Sequence, residues 1–145
     1  MIKFKLLSPA AKVPAYATPG ASACDLCAAV TEPVVIPAGE IRLLPTGLAI
    51  DGAPDDVTIL LFARSGLAVK HGIALANGVG VVDADYRGEI KVGLINQSHD
   101  DYTVLPGDRI AQMMFVPILR PSFTVTDELS ATERGDGGFG HTGRS

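Results

Sequence analysis

The sequence has no tryptophan, and only 6% of its residues are aromatic. It lacks any apolar run that reaches the roughly 20 residues needed to cross a bilayer. Stretches such as Ile59-Leu60-Leu61-Phe62-Ala63 are far shorter. The start Met1-Ile2-Lys3-Phe4-Lys5 carries cations, but no apolar h-region or small-residue cleavage site follows, so a cytoplasmic protein is expected. There is no surplus of positive charge either: 12 Lys and Arg against 16 Asp and Glu give a net charge of −4. A general nucleic-acid binder needs a clustered basic face to release counterions, so neither nucleic acid nor membrane is expected as a partner. A phosphorylated small molecule remains open, because a few placed arginines and a divalent cation can hold a polyanion in an acidic protein.

Cysteine is scarce as well. Cys24 and Cys27 form a C-x-x-C, but no second cysteine pair or nearby histidine pair completes the four ligands of a zinc site. A redox dithiol belongs at a helix N-terminus, whereas Ser22-Ala23-Cys24-Asp25-Leu26-Cys27-Ala28-Ala29 reads as extended chain. Residues three apart on a strand point to opposite faces, which predicts two reduced, mostly buried thiols.

What is present is β pattern over most of 145 residues, the length of a single domain. Ile2, Phe4 and Leu6 alternate with Lys3 and Lys5, the two-residue period of a strand with one wet face. Further strands are predicted at Val34–Ile36, Glu40–Leu44, Gly47–Ile50, Val57–Ala63, Val79–Val82, Glu89–Ile95, Tyr102–Leu105, Arg109–Val116 and Phe123–Thr126. Turn signals separate them, among them Pro37-Ala38-Gly39, Asn77-Gly78 and Leu105-Pro106-Gly107-Asp108. Helix is confined to Gly66–His71 and a short piece in Asp127–Glu133. Many short strands with Gly- and Pro-rich turns imply a sandwich, jelly roll or small barrel. From Arg134 to Ser145 the chain carries five glycines and one aromatic, too little apolar surface to hold itself folded, so a mobile tail is expected.

Four places carry candidate chemistry. Arg64-Ser65-Gly66, directly after an apolar strand, gathers a guanidinium, a hydroxyl and a free backbone amide, three kinds of phosphate donor. The same residues also read as a plain strand-to-helix turn capped by Ser65. Asn77 to Lys91 reads as a β-hairpin whose glycines let a ligand approach the backbone, with Tyr86 as a flat wall and Asp83 as a strand-end carboxylate able to orient a water. Asx turns at Asp83 and Asp85, with Tyr86 on the core rim, are the plainer account. In Pro106-Gly107-Asp108-Arg109-Ile110-Ala111-Gln112-Met113, Ile110 and Met114 look like core, and Gln112 needs a polar partner, of which a phosphate oxygen is one candidate. The tail lacks the Gly-Lys-Ser/Thr of a P-loop, yet Arg134, its glycine amides, Phe139 and Thr142 suit a flap over a base and triphosphate, as they also suit disorder.

In order and together, these segments resemble the five motifs of the trimeric dUTPase family across essentially the whole chain. The first is Ala23-Cys24-Asp25-Leu26, the second Arg64-Ser65-Gly66-Leu67-Ala68, and the third runs from Gly80 to Glu89. The fourth is Pro106 to Met113 and the fifth is Arg134-Gly135-Asp136-Gly137-Gly138-Phe139-Gly140-His141-Thr142-Gly143. Departures are Ala21-Ser22-Ala23-Cys24-Asp25-Leu26 where the first motif often has glycine before a Tyr/Phe-Asp-Leu, Ala63 where the family usually has proline, and Asp136 and His141 where it often has serine.

The resemblance implies an all-β, distorted jelly-roll domain of the β-clip kind over residues 1–133, with 134–145 as a glycine-rich flap. It implies a homotrimer with active sites at subunit interfaces, and Mg²⁺-dependent hydrolysis of dUTP to dUMP and pyrophosphate. That activity would limit uracil in DNA and supply dUMP for thymidylate synthesis. Asp83 would hold the water that attacks the α-phosphorus. Asn77 and the backbone near Val82 and Lys91 would read the uracil edge, and Tyr86 would exclude a 2′-hydroxyl. Arg64, Ser65, Gly66 and Gln112 would bind phosphates, with Asp25 near the metal through water. From another subunit, Phe139 would cover the uracil while Arg134 and Thr142 contact the terminal phosphates. Two other activities are compatible with the resemblance: dCTP deamination by a related fold, and a regulatory trimer that docks a partner protein.

Overall fold

The computed structural model describes residues 1–137. Its largest sheet has five strands in the order β2 (Ala15–Tyr16), β3 (Cys24–Cys27), β12 (Arg109–Pro117), β7 (Val57–Phe62) and β9 (Gly80–Val82), every pairing antiparallel. A three-stranded sheet places β10 (Lys91–Asn96) between β5 (Ile41–Pro45) and β8 (Ile73–Leu75). Two ribbons complete the fold: β1 (Lys3–Leu6) with β6 (Leu48–Asp51), and β4 (Val34–Ile36) with β11 (Tyr102–Val104).

Strand alternation sets the core. Cys24, Met113, Leu61 and Gly80 form one cross-strand row on the inner face of the large sheet, all buried. Leu44, Val92, Leu94, Ile36, Val104, Leu48 and Ile50 join them from the other sheets in one hydrophobic cluster. Asn96, fully buried on β10, is satisfied: its amide donates to the carbonyls of Ile36 at 2.9 Å and Asp100 at 2.8 Å, and its oxygen accepts from Ser98. The outer face of the large sheet is different. Leu60, Phe62, Met114 and Val116 are only half-buried there, and Val81 is 63% exposed.

Several expectations are corrected. The register of β12 slips between Arg109 and Ala111, so Ile110 and Ala111 both face inward and the next core residue is Met113 rather than Met114. A one-residue bulge reverses every later side chain on a strand. Residues 77–91 are not a hairpin, because β9 pairs with β7 while β10 pairs with β5 and β8 in another sheet. Phe123–Thr126 forms no strand and Asp127–Glu133 no helix; residues 119–136 are exposed throughout. The helix at Gly66–His71 exists as α1 (Ser65–His71), but its N-cap is Arg64 and no side chain caps it, so Ser65 is not a cap. On β1 the alternation fails at Leu6, which is 50% exposed. Strand β2, of two residues, carries too few alternations to register, and β8 (Ile73–Leu75) is a further strand beyond those expected.

The thiol expectation holds in geometry. Cys24 is buried and Cys27 half-buried, both are free, and Cys24 Sγ donates to the Met113 carbonyl at 3.4 Å. Among the described residues, no helix is long and apolar enough to cross a membrane.

Candidate active site

The described site residues fall into two groups. The first gathers where β3, β7 and β12 end together. Asp25, Gln112 and Phe62 are direct cross-strand neighbours, and therefore share the outer face of the large sheet. Arg64 leaves the end of β7 and turns back onto β3: its Nε donates to Asp25 Oδ1 at 3.0 Å. Arg109, at the start of β12, donates from NH1 to Asp25 Oδ2 at 3.1 Å. Asp25 thus spends one oxygen on each guanidinium while its side chain is only 14% exposed. Such charge-assisted bonds hold both arginines in place on one carboxylate. Beside them the first amides of α1 lack intrahelical partners, as in any helix, and Ser65 and Gly66 are exposed with nothing above Gly66. Two arginines, a hydroxyl and free amides give this end of the sheet the donors that an anion can accept from.

Behind it lies a pocket of ≈ 180 Å³ lined by Arg64, Leu67, Tyr102, Val104, Asp108, Arg109 and Ile110. Burial raises the Tyr102 phenol, the Asp108 charge adds to that, and Arg64 opposes it.

The second group surrounds a cleft of ≈ 350 Å³ lined by Leu43, Val81, Val82, Asp83, Tyr86, Glu89, Ile90 and Lys91. Although β9 and β10 belong to different sheets, their ends converge here. The cleft therefore mixes apolar walls with exposed backbone and one strand-end carboxylate, the exposed Asp83. Tyr86 is held closely: its amide donates to the Asp83 carbonyl at 3.1 Å and its hydroxyl to the Glu89 carbonyl at 3.0 Å. The ring passes so near Gly88 that a Cβ there would lie 2.3 Å from the tyrosine oxygen. Glycine is required at 88 for that approach. Lys91 Nζ pairs with Glu89 Oε2 at 3.6 Å.

The two groups are far apart within one chain. Val82 faces Ile59 near the start of β7, whereas Arg64 lies beyond its other end. Five residues of strand at ~3.3 Å each separate them by about 16 Å. Asn77 lies in the turn after β8 and does not line the cleft. Arg134 is exposed, and its Nε donates to the carbonyl of Gly137 at 2.8 Å. Phe139 and Thr142 lie outside the described residues. Arg109 and Leu43 were not singled out from sequence: Arg109 stood inside the fourth motif, while Leu43 reaches the cleft from another sheet and leaves no local signal.

The dUTPase family model matches residues 10–143. The chain belongs to the dUTPase family. A deoxyuridine 5'-triphosphate nucleotidohydrolase of Desulfitobacterium hafniense (strain Y51) is 54% identical over 136 residues, covering 94% of this chain and 90% of that protein. The protein of the same name from Enterobacter sp. (strain 638) is 45% identical over 147 residues, covering 99% and 97%. Among solved structures, the Staphylococcus bacteriophage 80alpha dUTPase with dUPNHPP superposes with a TM-score of 0.90 at 27% identity, covering 99% of each chain. A mutant dUTPase from phage phi11 of S. aureus, described with a structural Mg(II) ion, shares the dUTPase fold at TM-score 0.82 and 23% identity, covering 90% of this chain and 99% of that one.

Proposed function

We propose that this chain hydrolyses dUTP to dUMP and pyrophosphate, at sites that each combine the anion-receiving end of one subunit with the Asp83 cleft of another. The observation that carries this is the membership of the whole chain in the dUTPase family, joined to the clustering of the motif residues into an anion site and a base-sized cleft. Neither alternative draws support from the relatives, which are named as dUTP hydrolases.

Phosphoanhydride cleavage asks a protein for positioning and charge neutralisation more than for covalent chemistry. Asp83 orients a water and accepts its proton as the oxygen attacks the α-phosphorus in line. The bond from that phosphorus to the bridging oxygen breaks, and pyrophosphate leaves with its electron pair. Arg64, Ser65, Gly66 and Gln112 bind the phosphates. The backbone at Val82 and Lys91 reads the uracil edge and discriminates against a 5-methyl group, and Asn77 approaches from the turn outside the cleft. Tyr86 lies against the deoxyribose, while Arg134, Phe139 and Thr142 close the site as part of the 134–145 flap.

Mg²⁺ bound to the triphosphate supplies charge neutralisation. The donor set fits that mode: among the described residues no group of three ligating side chains could cage an ion, and Mg²⁺ is commonly held through substrate phosphates, few carboxylates and water. Asp25 is the carboxylate nearest the anion end. Each of its oxygens keeps a lone pair beyond its arginine bond, enough to accept from a metal-bound water.

Three features support a homotrimer. The outer face of the large sheet carries half-exposed Leu60, Phe62 and Met114, a surface that water covers poorly. Beyond β12 the chain bears Leu119, Phe123, Val125 and Leu129 at 94%, 91%, 95% and 89% exposure, apolar side chains suited to packing on another copy. The ~16 Å between the two site groups then becomes an arrangement rather than a defect, since neighbouring subunits can supply complementary halves.

The test is pyrophosphate release measured across dUTP, dCTP, dTTP and UTP, with and without Mg²⁺. Release confined to dUTP and dependent on Mg²⁺ is expected; ammonia release from dCTP would overturn the reading in favour of a deaminase.

A further inference from the structure

The loop from Asp83 to Gly88 carries the two residues on which rate and sugar selection depend, yet it is nearly all exposed; only Ala84 is buried. Its downstream end is fastened to the start of β6. Glu89 Oε1 accepts from the Gly47 amide at 2.9 Å, the Ile90 amide donates to Leu48 at 2.8 Å, and Thr46 Oγ1 donates to the Ile90 carbonyl at 2.5 Å. Its upstream end is fastened by the ladder of β9 on β7. Between these two anchors the backbone has one further polar tie to another strand among the described residues, and Arg87 makes it. NH1 of Arg87 donates to the carbonyls of Ala84 at 2.8 Å and Tyr86 at 3.2 Å. NH2 reaches Asp51 Oδ1, at the end of β6, at 3.2 Å.

We propose that Arg87 is a positioning residue that fixes the Asp83–Gly88 loop against β6 and thereby sets the plane of Tyr86 for discrimination of deoxyribose from ribose. The ring is held at two points. Its hydroxyl end is tied to the Glu89 carbonyl and lies over the bare Cα of Gly88, so that end is confined. Its backbone end is set by the Asp83 contact inside the loop and by the guanidinium on the Tyr86 carbonyl. Without Arg87, only bonds internal to the loop remain at the backbone end. The ring can then pivot about its hydroxyl, and the space denied to a 2′-hydroxyl opens. The planar fork of arginine suits this task, since one guanidinium reaches two carbonyls and a carboxylate at once, which a lysine ammonium does less well.

The charges facing Arg87 from the packed elements are few. Asp51 lies on β6, while Lys3 and Lys5 on β1 line the same groove of ≈ 420 Å³. The Arg87 and Asp51 side chains are 54% and 56% exposed, and ion pairs that exposed contribute little to folding stability. The role is therefore one of placement, and its loss leaves the fold standing.

The inference rests on the proposed dUTP hydrolysis. The experiment measures kcat and KM for dUTP and UTP in wild type, Arg87→Ala, Arg87→Lys, Asp51→Asn and the Arg87→Ala/Asp51→Asn double variant, with melting curves for each. Expected is a fall of about tenfold or more in the dUTP-to-UTP ratio of kcat/KM for Arg87→Ala, as an ångström-scale misplacement produces. Arg87→Lys and Asp51→Asn should fall between that and wild type, the double variant should be no worse than Arg87→Ala, and melting temperatures should stay close. An unchanged ratio in Arg87→Ala, equal losses on both nucleotides, or additive effects of the two substitutions would overturn the proposal while leaving dUTP hydrolysis intact. A wild type that releases no pyrophosphate from dUTP would instead overturn the parent reading, and this one with it.

Discussion

At the scale of single residues, the role proposed for Asp83 rests on where it sits. It is exposed, it follows a strand end, and it lines a cleft shared with Leu43, Val81, Tyr86 and the Glu89–Lys91 ion pair. Replacing it with Asn keeps shape and size but removes the proton acceptor, so Asp83→Asn should retain nucleotide binding while kcat falls by about 10²–10⁴-fold. Equilibrium binding of a non-hydrolysable dUTP analogue beside steady-state turnover checks this, and undiminished kcat would release Asp83 from the role. Cys24 is the opposite case, defined by its environment. Burial raises its thiol above the ordinary 9.0, the Asp25 charge also raises it, and a backbone hydrogen bond partly offsets both. The native state therefore holds the proton more tightly than the unfolded chain. The associated stability is fully present below the ordinary value and is lost as pH rises through the raised one. Denaturation midpoints at about pH 8 and pH 10.5 should fall further for wild type than for Cys24→Ala. Equal falls would show that the thiol does not titrate across that window.

Elements decide how those residues come together, and here sequence reading has identifiable limits. Long strands such as β7 and β12 were legible as apolar, β-branched and aromatic runs bounded by turn signals. The bulge in β12 was not, since nothing local distinguishes an extra residue at Arg109–Ala111 from regular pleat. The segment from 77 to 91 was legible as strand, loop and strand, but the sheet each strand joins depends on long-range pairing that no local signal encodes. Phe123–Thr126 has strand composition without a strand, as expected where no edge in the same chain meets it. The motif residues were legible as members of a family pattern, whereas the division of their chemistry into two clusters needed coordinates. Helix α1 shows how an element's far end supports the site. Gly72 closes it at φ +67° with its amide on the carbonyls of Ala68 and Leu67, and a Cβ there would lie 2.9 Å from the Ser98 amide nitrogen. Gly72→Ala should cost about 1–3 kcal/mol, combining a left-handed backbone with a clash. In a chain of this length that lowers Tm by about 3–10 °C, measurable by scanning calorimetry. Activity well below Tm should persist, because Arg64 and Ser65 are placed by the end of β7; an unchanged Tm would show that the loop at Ser98 yields freely.

For the whole molecule the decisive geometry is the distance between the halves of the site. Asp83 follows Val82 near the start of β7 while Arg64 lies beyond its other end, so on the proposed mechanism a chain acting alone does not close both around one triphosphate. A ring of three identical subunits resolves this if each interface joins the Asp83 cleft of one subunit to the Arg64 end of the next. Arg64→Ala and Asp83→Asn each remove one half and leave the other untouched, and each homotrimer should be nearly inactive. Co-refolding them in equal amounts gives mixed rings. A site is then intact when one subunit supplies Asp83 and its neighbour supplies Arg64, which random mixing produces at about one site in four. Active-site titration with a tight dUTP analogue, together with turnover, should recover roughly that fraction of wild-type activity. Simple mixing of preformed trimers should recover none until subunits exchange. If co-refolded rings of confirmed mixed composition stay inactive, both halves belong to a single chain, and the strand geometry of β7 must be bypassed by a rearrangement of the Asp83–Gly88 loop.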